Sequence, residues 1–425
     1  MPESITVTIE SLGARGDGIA KHDGKPVYVP GALPGEVVQV QVVETRKSGL
    51  YTRMLDVKEP SRQRVQAKCQ HFGRCGGCQM QHMTDELYRK WVQDRARFAL
   101  AQQGLDEAQV EDPFMAPPES RRRVALKALQ TASGLVFGFN AEGSHQIVDV
   151  VQCPVMHSSI WALVPELKRL LGNILPQRAL AQVHATLTAT GIDLVVDVAH
   201  EISLQEREAC VQFANDFNIS AFHWRSDGFL DPIVVRQEPI MEFAGVKVPL
   251  SPGAFIQATS ESEAVMIERV QSACSSAGRV ADLFSGIGTF TFPLARQHQI
   301  LAVEGALDAV QALENARNSA PAAGVKLKQV VVKHRDLFRR PLSVKELAGF
   351  DAVVIDPPRA GAQMQMEQLA QSGVKTVVSV SCNPNTFARD ARILVEGGYE
   401  LNTVLPVDQF LWSTHLELVG VFTRP

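Results

Sequence analysis

Five short apolar runs in the last third of the chain, set between segments of helical spacing, constrain the fold more than any other feature. They are Arg279–Phe284, Gln299–Glu304, Lys328–Val332, Asp351–Ile355 and Val374–Ser381. Runs of this length and composition read as strands, and segments 306–319, 362–372 and 384–396 read as helices. Strands alternating with helices predict a doubly wound α/β sheet of parallel strands. Tyr399–Pro406 and His415–Thr423 read as closing strands, so this unit is expected over 251–425.

The start of the chain has a different period. Ser4–Glu10 and Val37–Glu44 alternate apolar with polar residues, Pro26–Pro30 is a short strand, and Gly-rich turns fall at Gly13–Gly18 and Gly31–Gly35. Short strands and turns of this kind predict a small OB-type β-barrel over 1–58. Between the two lies an expected α+β unit over 59–250. It opens on a Lys-, Arg-, Gln- and Cys-rich loop (59–82). A helix over 83–103 follows, with Met83, Leu87, Trp91, Ala99 and Leu100 near one face. Three units suit a chain of 425 residues.

The N-terminus shows no basic stretch followed by an apolar one, and no run of about 18 apolar residues occurs. A cytoplasmic protein with no membrane contact is expected, and a monomer. The net charge of −4 argues weakly against a nucleic-acid partner, but the charge is uneven. Residues 1–130 carry 19 Lys and Arg against 16 Asp and Glu, whereas residues 131–425 carry 23 against 30. Arg46-Lys47 and Arg121-Arg122-Arg123 are local basic runs. Such runs are usually solvated faces, but phosphate contacts are made by local patches and not by net charge.

The turn after the first strand of the doubly wound sheet reads Asp282-Leu283-Phe284-Ser285-Gly286-Ile287-Gly288-Thr289. Gly286 and Gly288 allow a tight turn and close approach to a ligand beyond the strand ends. Glu304 ends the next strand, where an acid can hold ribose hydroxyls. A dinucleotide fingerprint would have a third glycine at position 291, which is Thr291, and no P-loop occurs. Acid, short Gly-x-Gly and second acid fit adenosine without a pyrophosphate, a pattern that resembles class I methyltransferases.

Two further motifs end the fourth and fifth strands: Asp356-Pro357-Pro358-Arg359 and Ser381-Cys382-Asn383-Pro384. An Asp-Pro-Pro turn with an aromatic fourth residue typifies enzymes that methylate exocyclic amines, and Arg359 departs from it. A lone Cys ending a strand is generically a small buried hydrophobe. Cys382 has a chemical use, however. Carbon 5 of uracil is a poor nucleophile until a thiolate adds to carbon 6 and makes an enolate. A base must then remove the carbon 5 proton before the thiolate can leave.

With these motifs the chain resembles the RNA uridine-5-methyltransferase family, in particular its iron–sulfur, barrel-bearing branch that modifies 23S ribosomal RNA. The likeness runs over nearly the whole chain, with a TRAM-like barrel, a cysteine cluster and the two strand-end motifs. It implies that S-adenosylmethionine is the methyl donor, Cys382 the nucleophile and Glu417 the base. It further implies that Gln257, Phe284, Thr289, Glu304, Asp336 and Asp356 line the donor and base sites. Thr289 and Asp336 stand where relatives often have Asn, and Ala258-Thr259 follow Gln257 where Val-Asn is usual.

Cys69, Cys75, Cys78 and Cys153 can supply four thiolates, and the Gly-Gly between Cys75 and Cys78 lets both sulfurs face one centre. Spacing admits a [4Fe–4S] cluster or zinc. The resemblance implies the cluster, with Cys153 as fourth ligand. An odd cysteine total of seven argues against disulfides. His71 and His82 read as surface histidines, Cys210 and Cys274 as core. Rival readings are a base amino-methyltransferase that does not need Cys382, a methyltransferase for uridine 54 of transfer RNA, and a non-enzymatic iron–sulfur RNA-binding or redox-sensing protein. Barrel and cluster together favour ribosomal RNA.

Overall fold

The computed structural model describes residues 4–424. Its N-terminal sheet has six strands within Ser4–Glu59. Strand Ser4–Thr8 alternates exposed and buried as its sequence predicts. The inward set, including Ile5, Val7, Val27, Val29, Val38 and Val40, forms a small core of its own. The longest strand, Gly49–Glu59, has no counterpart among the expected strands. Its pairing with Val37–Arg46 shifts register at three places, which breaks the period of two that would reveal it.

Helix Asp85–Ala101 is capped by Thr84, whose hydroxyl accepts the Leu87 N–H. Its buried face holds Leu87, Tyr88, Trp91, Ala99 and Leu100. That face packs into the core of the C-terminal sheet, against residues of helix Pro384–Glu396. Trp91 also donates its indole N–H to the Gly13 carbonyl at 2.9 Å, tying the N-terminal sheet to this helix. Phe114–Met115 pairs with the edge of the C-terminal sheet. Residues 85–115 therefore pack with that sheet, not with the seven-stranded one that follows.

The seven-stranded sheet spans Arg123–Val235, antiparallel except where Gly191–Val198 pairs parallel with Ala221–Ser226. Helix Leu204–Asp216 makes that crossover, opened by a Ser203–Glu206 capping box. Cys210 and Cys274 are fully buried, as expected.

The C-terminal sheet runs, from one edge, Val330–His334, Gln299–Glu304, Arg279–Leu283, Ala352–Ile355 and Thr376–Ser381, all parallel. Glu417–Thr423 follows antiparallel, and Glu400–Asp408 pairs antiparallel with it and so again runs parallel to the first five. The strand order reverses between Arg279–Leu283 and Ala352–Ile355, so the ligand crevice lies beyond their C-terminal ends. The third strand lies two residues later than predicted. Lys328 donates its N–H to Ala295 across the end of a helix, and on this edge strand Val330 is buried while Val331 is 45% exposed. No helix among the described residues is long and apolar enough to cross a membrane.

Candidate active site and cysteine cavity

Cys382 follows the last residue of strand Thr376–Ser381, and Asn383 caps the next helix by accepting the Asn385 N–H at 3.1 Å. Pro384 takes the first helical position, where its missing N–H costs nothing. The Arg359 carbonyl accepts from Asn383 Nδ2 and Thr386 Oγ1, which holds the Asp-Pro-Pro-Arg turn against the Ser-Cys-Asn-Pro turn. Cys382 is half-buried. Burial pushes its thiol up to about 11, and the facing carboxylates of Glu417 and Asp356 add to the rise.

Glu417 opens strand Glu417–Thr423 and is 5% exposed. Burial, with Asp356 nearby, raises its carboxyl to about 8, and burial raises Asp356 to about 7. One residue that the sequence reading passed over joins them. Gln409 donates Nε2–H to Glu417 Oε1 at 2.9 Å and to Gln257 Oε1 at 3.0 Å. Gln257 in turn points Nε2 at Asp356 Oδ2, 3.5 Å away. No local signal marks Gln409, a glutamine between strand residue Asp408 and Phe410. Its importance comes from packing against a segment 152 residues away.

At the neighbouring strand ends, Glu304 accepts the Gly286 N–H on one oxygen and the Gly305 and Ala306 N–H groups on the other. Gly288 has a φ of +101°, and a Cβ there would lie 2.6 Å from Leu313 and Phe292, so only glycine fits. Phe284 holds a φ of +57°, rare for a bulky residue, and its ring tilts against Phe338 at 5.2 Å between centroids. Asp336 accepts the Phe338 and Arg339 N–H groups on Oδ1. Thr289 is half-buried in the glycine turn. Asp282 is buried beneath that turn, hydrogen-bonded by Thr291 and raised to about 7, mainly by burial. The fold thus gathers Gln257, Asp356, Cys382 and Glu417 in one place and Phe284, Glu304 and Asp336 beside it.

Cys69, Cys75, Cys78 and Cys153 all line one cavity of about 680 Å3. Burial pushes Cys78 up to about 12, and the other three thiols raise it further; Cys75 and Cys153 are raised for the same first reason. Four thiols facing one space form a donor set that suits a four-thiolate group. No set of three or more His, Cys, Asp or Glu side chains stands in metal-ligating geometry among the described residues. The cavity wall also includes Phe410, Thr414 and His415, from the segment that leads to Glu417.

Two sequence expectations need correction here. His71 and His82 are buried, not superficial, at 8% and 3% exposure. His71 Nε2 accepts the Val151 N–H, and His82 packs against Phe72, with burial lowering its pKa to about 4. The Arg121–Arg123 run is not a solvated face either. Arg122 is buried and donates to Glu263 Oε2 at 2.6 Å, Arg121 lies over the Phe410 ring, and Arg123 lies over Phe255.

Comparison with known proteins adds to this geometry. Residues 233–424 match the tRNA (uracil-5-)-methyltransferase family, and residues 3–55 match the TRAM domain. An uncharacterized RNA methyltransferase of Caulobacter vibrioides is 41% identical over 98% of this chain and 99% of its own. The 23S rRNA (uracil(1939)-C(5))-methyltransferase of Pectobacterium atrosepticum is 32% identical over 99% and 94%. The structure of Pyrococcus abyssi tRNA (uracil-54, C5)-methyltransferase with S-adenosyl-L-homocysteine superposes with a TM-score of 0.76. It covers 98% of this chain and 99% of its own, and at 23% identity it shows a common fold.

Proposed function

Since this chain belongs to the RNA uracil-5-methyltransferase family, an S-adenosylmethionine-dependent group, we propose that it methylates one uridine of 23S ribosomal RNA through a covalent adduct to Cys382. The observation that carries the mechanism is the meeting of Cys382, Asp356 and Glu417 at the strand ends, with Gln257 and Gln409 between the two acids.

Cys382 Sγ, once deprotonated, adds to carbon 6 of the uracil ring, and the electron pair moves to carbon 5. Carbon 5 takes the methyl group of S-adenosylmethionine, whose sulfonium becomes the neutral thioether of S-adenosylhomocysteine. Glu417 then accepts the carbon 5 proton, the carbon 5–carbon 6 double bond re-forms, and the bond to Sγ breaks. Phe284, Thr289, Glu304 and Asp336 hold the donor, with Glu304 at the ribose. The target base must leave its stack to reach Cys382. On the N-terminal sheet, Tyr28 and Tyr51 stack at 5.0 Å with Arg46 over the Tyr51 ring, which suits RNA bases and phosphate. The 32% identity to the ribosomal enzyme favours that RNA over transfer RNA.

We also read Cys69, Cys75, Cys78 and Cys153 as holders of a [4Fe–4S] cluster, which would tie the 69–78 loop to the segment around Cys153 as a structural centre. The protein would act in the cytoplasm as a monomer.

Two variants test the mechanism. Cys382→Ala should lose both methylation and any covalent protein–RNA band on a denaturing gel. Glu417→Gln should accumulate that band, because the methylated adduct cannot lose its proton. A trapped band from Cys382→Ala, or normal turnover by Glu417→Gln, would overturn the assignment. Mapping 5-methyluridine in RNA from cells lacking the protein identifies the target. Protein purified without oxygen should contain iron and sulfide; stoichiometric zinc alone would refute the cluster.

A further inference from the structure

Gln409 belongs to none of the motifs that point to the reaction, yet it is 2% exposed at the centre of the acid network. Its side-chain oxygen accepts the Ala258 N–H at 2.8 Å. A backbone N–H can only donate, so the amide atom facing it must be the oxygen. The nitrogen is then forced to the other side, where it meets Gln257 Oε1 and Glu417 Oε1. Both of its protons are used. The Gln257 amide is oriented in turn, oxygen toward Gln409 and nitrogen toward Asp356. One backbone N–H thereby sets the polarity of a chain that ends on the two acids.

We propose that Gln409 is the positioning residue for proton removal: it grips Glu417 by Oε1, leaves Oε2 to take the carbon 5 proton, and couples the base to Gln257. The inference rests on the reading of Glu417 as the base. The hydrogen bond to the Glu417 carboxylate falls on Oε1, which leaves the lone pairs of Oε2 open to a proton. A donor on Oε1 favours the charged form of Glu417, against the burial that raises it. The other groups facing the site are Asp356 and Cys382, with Arg359 acting on Cys382. Asp408, next to Gln409, turns its carboxylate away to Tyr88 Oη at 2.7 Å. His415, two residues before Glu417, is kept in its neutral form by burial.

A base works only when deprotonated, so adduct breakdown should speed up as pH rises through the Glu417 pKa. Removing the Gln409 donor raises that pKa and moves the rise to higher pH. The test uses the full-length protein with RNA and S-adenosylmethionine, following breakdown of the covalent adduct in a single turnover across pH. Gln409→Met should slow breakdown about tenfold near neutrality and shift the pH limb upward by on the order of one unit, the worth of one hydrogen bond to a charged group. Gln409→Glu keeps the size and the contact to Ala258 but adds a second acid, so its limb should move further. Both variants should still form adduct with 5-fluorouridine RNA, whose fluorine cannot leave as a proton, and should bind S-adenosylmethionine as the native protein does. An unmoved limb in both variants, or loss of adduct formation along with activity, overturns the proposal. Normal turnover by Glu417→Gln instead overturns the reading of the base itself, whatever the Gln409 variants do.

Discussion

Trp412 and Gln79 are joined backbone to backbone: the Trp412 carbonyl accepts the Gln79 N–H at 2.7 Å, and the next N–H, of Met80, at 3.0 Å. Gln79 directly follows Cys78, and Trp412 lies five residues before Glu417. The Trp412 N–H donates to Tyr88 Oη, and Arg95 donates to the Thr414 carbonyl, both at 2.7 Å. The cysteine loop and helix Asp85–Ala101 thus hold the segment between the last two strands of the catalytic sheet.

That latch predicts how a change in the cysteine loop spreads. In Cys78→Ala, amide hydrogen exchange should quicken at Gln79 and Met80 and also over 410–416. Strand Arg279–Leu283 should keep its protection, because its partners lie elsewhere in the sheet. Native-like exchange over 410–416 would show that the two segments are independent.

Arg122 and Glu263 form a buried pair, and Arg122 also donates to the Gln257 carbonyl at 3.2 Å. Removing one partner leaves an uncompensated charge, so Arg122→Ala should lower stability by about 3–5 kcal/mol in urea unfolding. Replacing both, as Arg122→Met with Glu263→Leu, should recover most of the loss, since the buried charges disappear together. Because the pair is withdrawn from solvent, the double variant should keep the native salt dependence of RNA binding. A single variant as stable as the native protein would contradict the burial.

Glu304 spends both carboxylate oxygens on the glycine turn and the following loop. Glu304→Ala removes both that brace and the acid proposed to hold the ribose. Affinity for S-adenosylmethionine measured by calorimetry should fall by about 1.5–3 kcal/mol, the range for hydrogen bonds to charged groups. Unchanged affinity would place the ribose elsewhere.

Four buried carboxyls stand far above their usual values: Asp282, Asp356 and Asp408 at about 7, and Glu417 at about 8, each chiefly through burial. In the unfolded chain these groups titrate near 4, so between about pH 4 and 8 the folded state binds more protons. Their contribution to stability is full below the unfolded values and is lost as pH rises through 7 to 8. The melting temperature of the ligand-free protein should therefore fall between about pH 5 and pH 8 at constant salt. Asp408→Asn, a permanently neutral mimic, should flatten part of that slope. A melting temperature independent of pH across this window would mean that the carboxyls ionise without penalty.

The sequence by itself determined the elements of the catalytic sheet and the motifs at their ends. Helix Pro384–Glu396 has the predicted bounds, and the turns bearing Asp356 and Cys382 follow their strands as expected. Both follow from local causes, since periodicity reports which face of an element is buried and a strand delivers whatever residue comes next to its own end. The tertiary structure alone decided which side chains meet. Gln409 reaches back to Gln257, Arg122 pairs with a residue 141 positions later, and Trp412 closes on Gln79. His71 and His82 are sheltered, with His71 receiving the N–H of a residue 80 positions away. Burial and hydrogen-bond partners depend on the distant segment that packs on top, and no local spacing encodes that segment's identity. The same holds for the proton-handling properties of the site, because the raised carboxyls of Asp356 and Glu417 arise from desolvation that only the assembled core imposes.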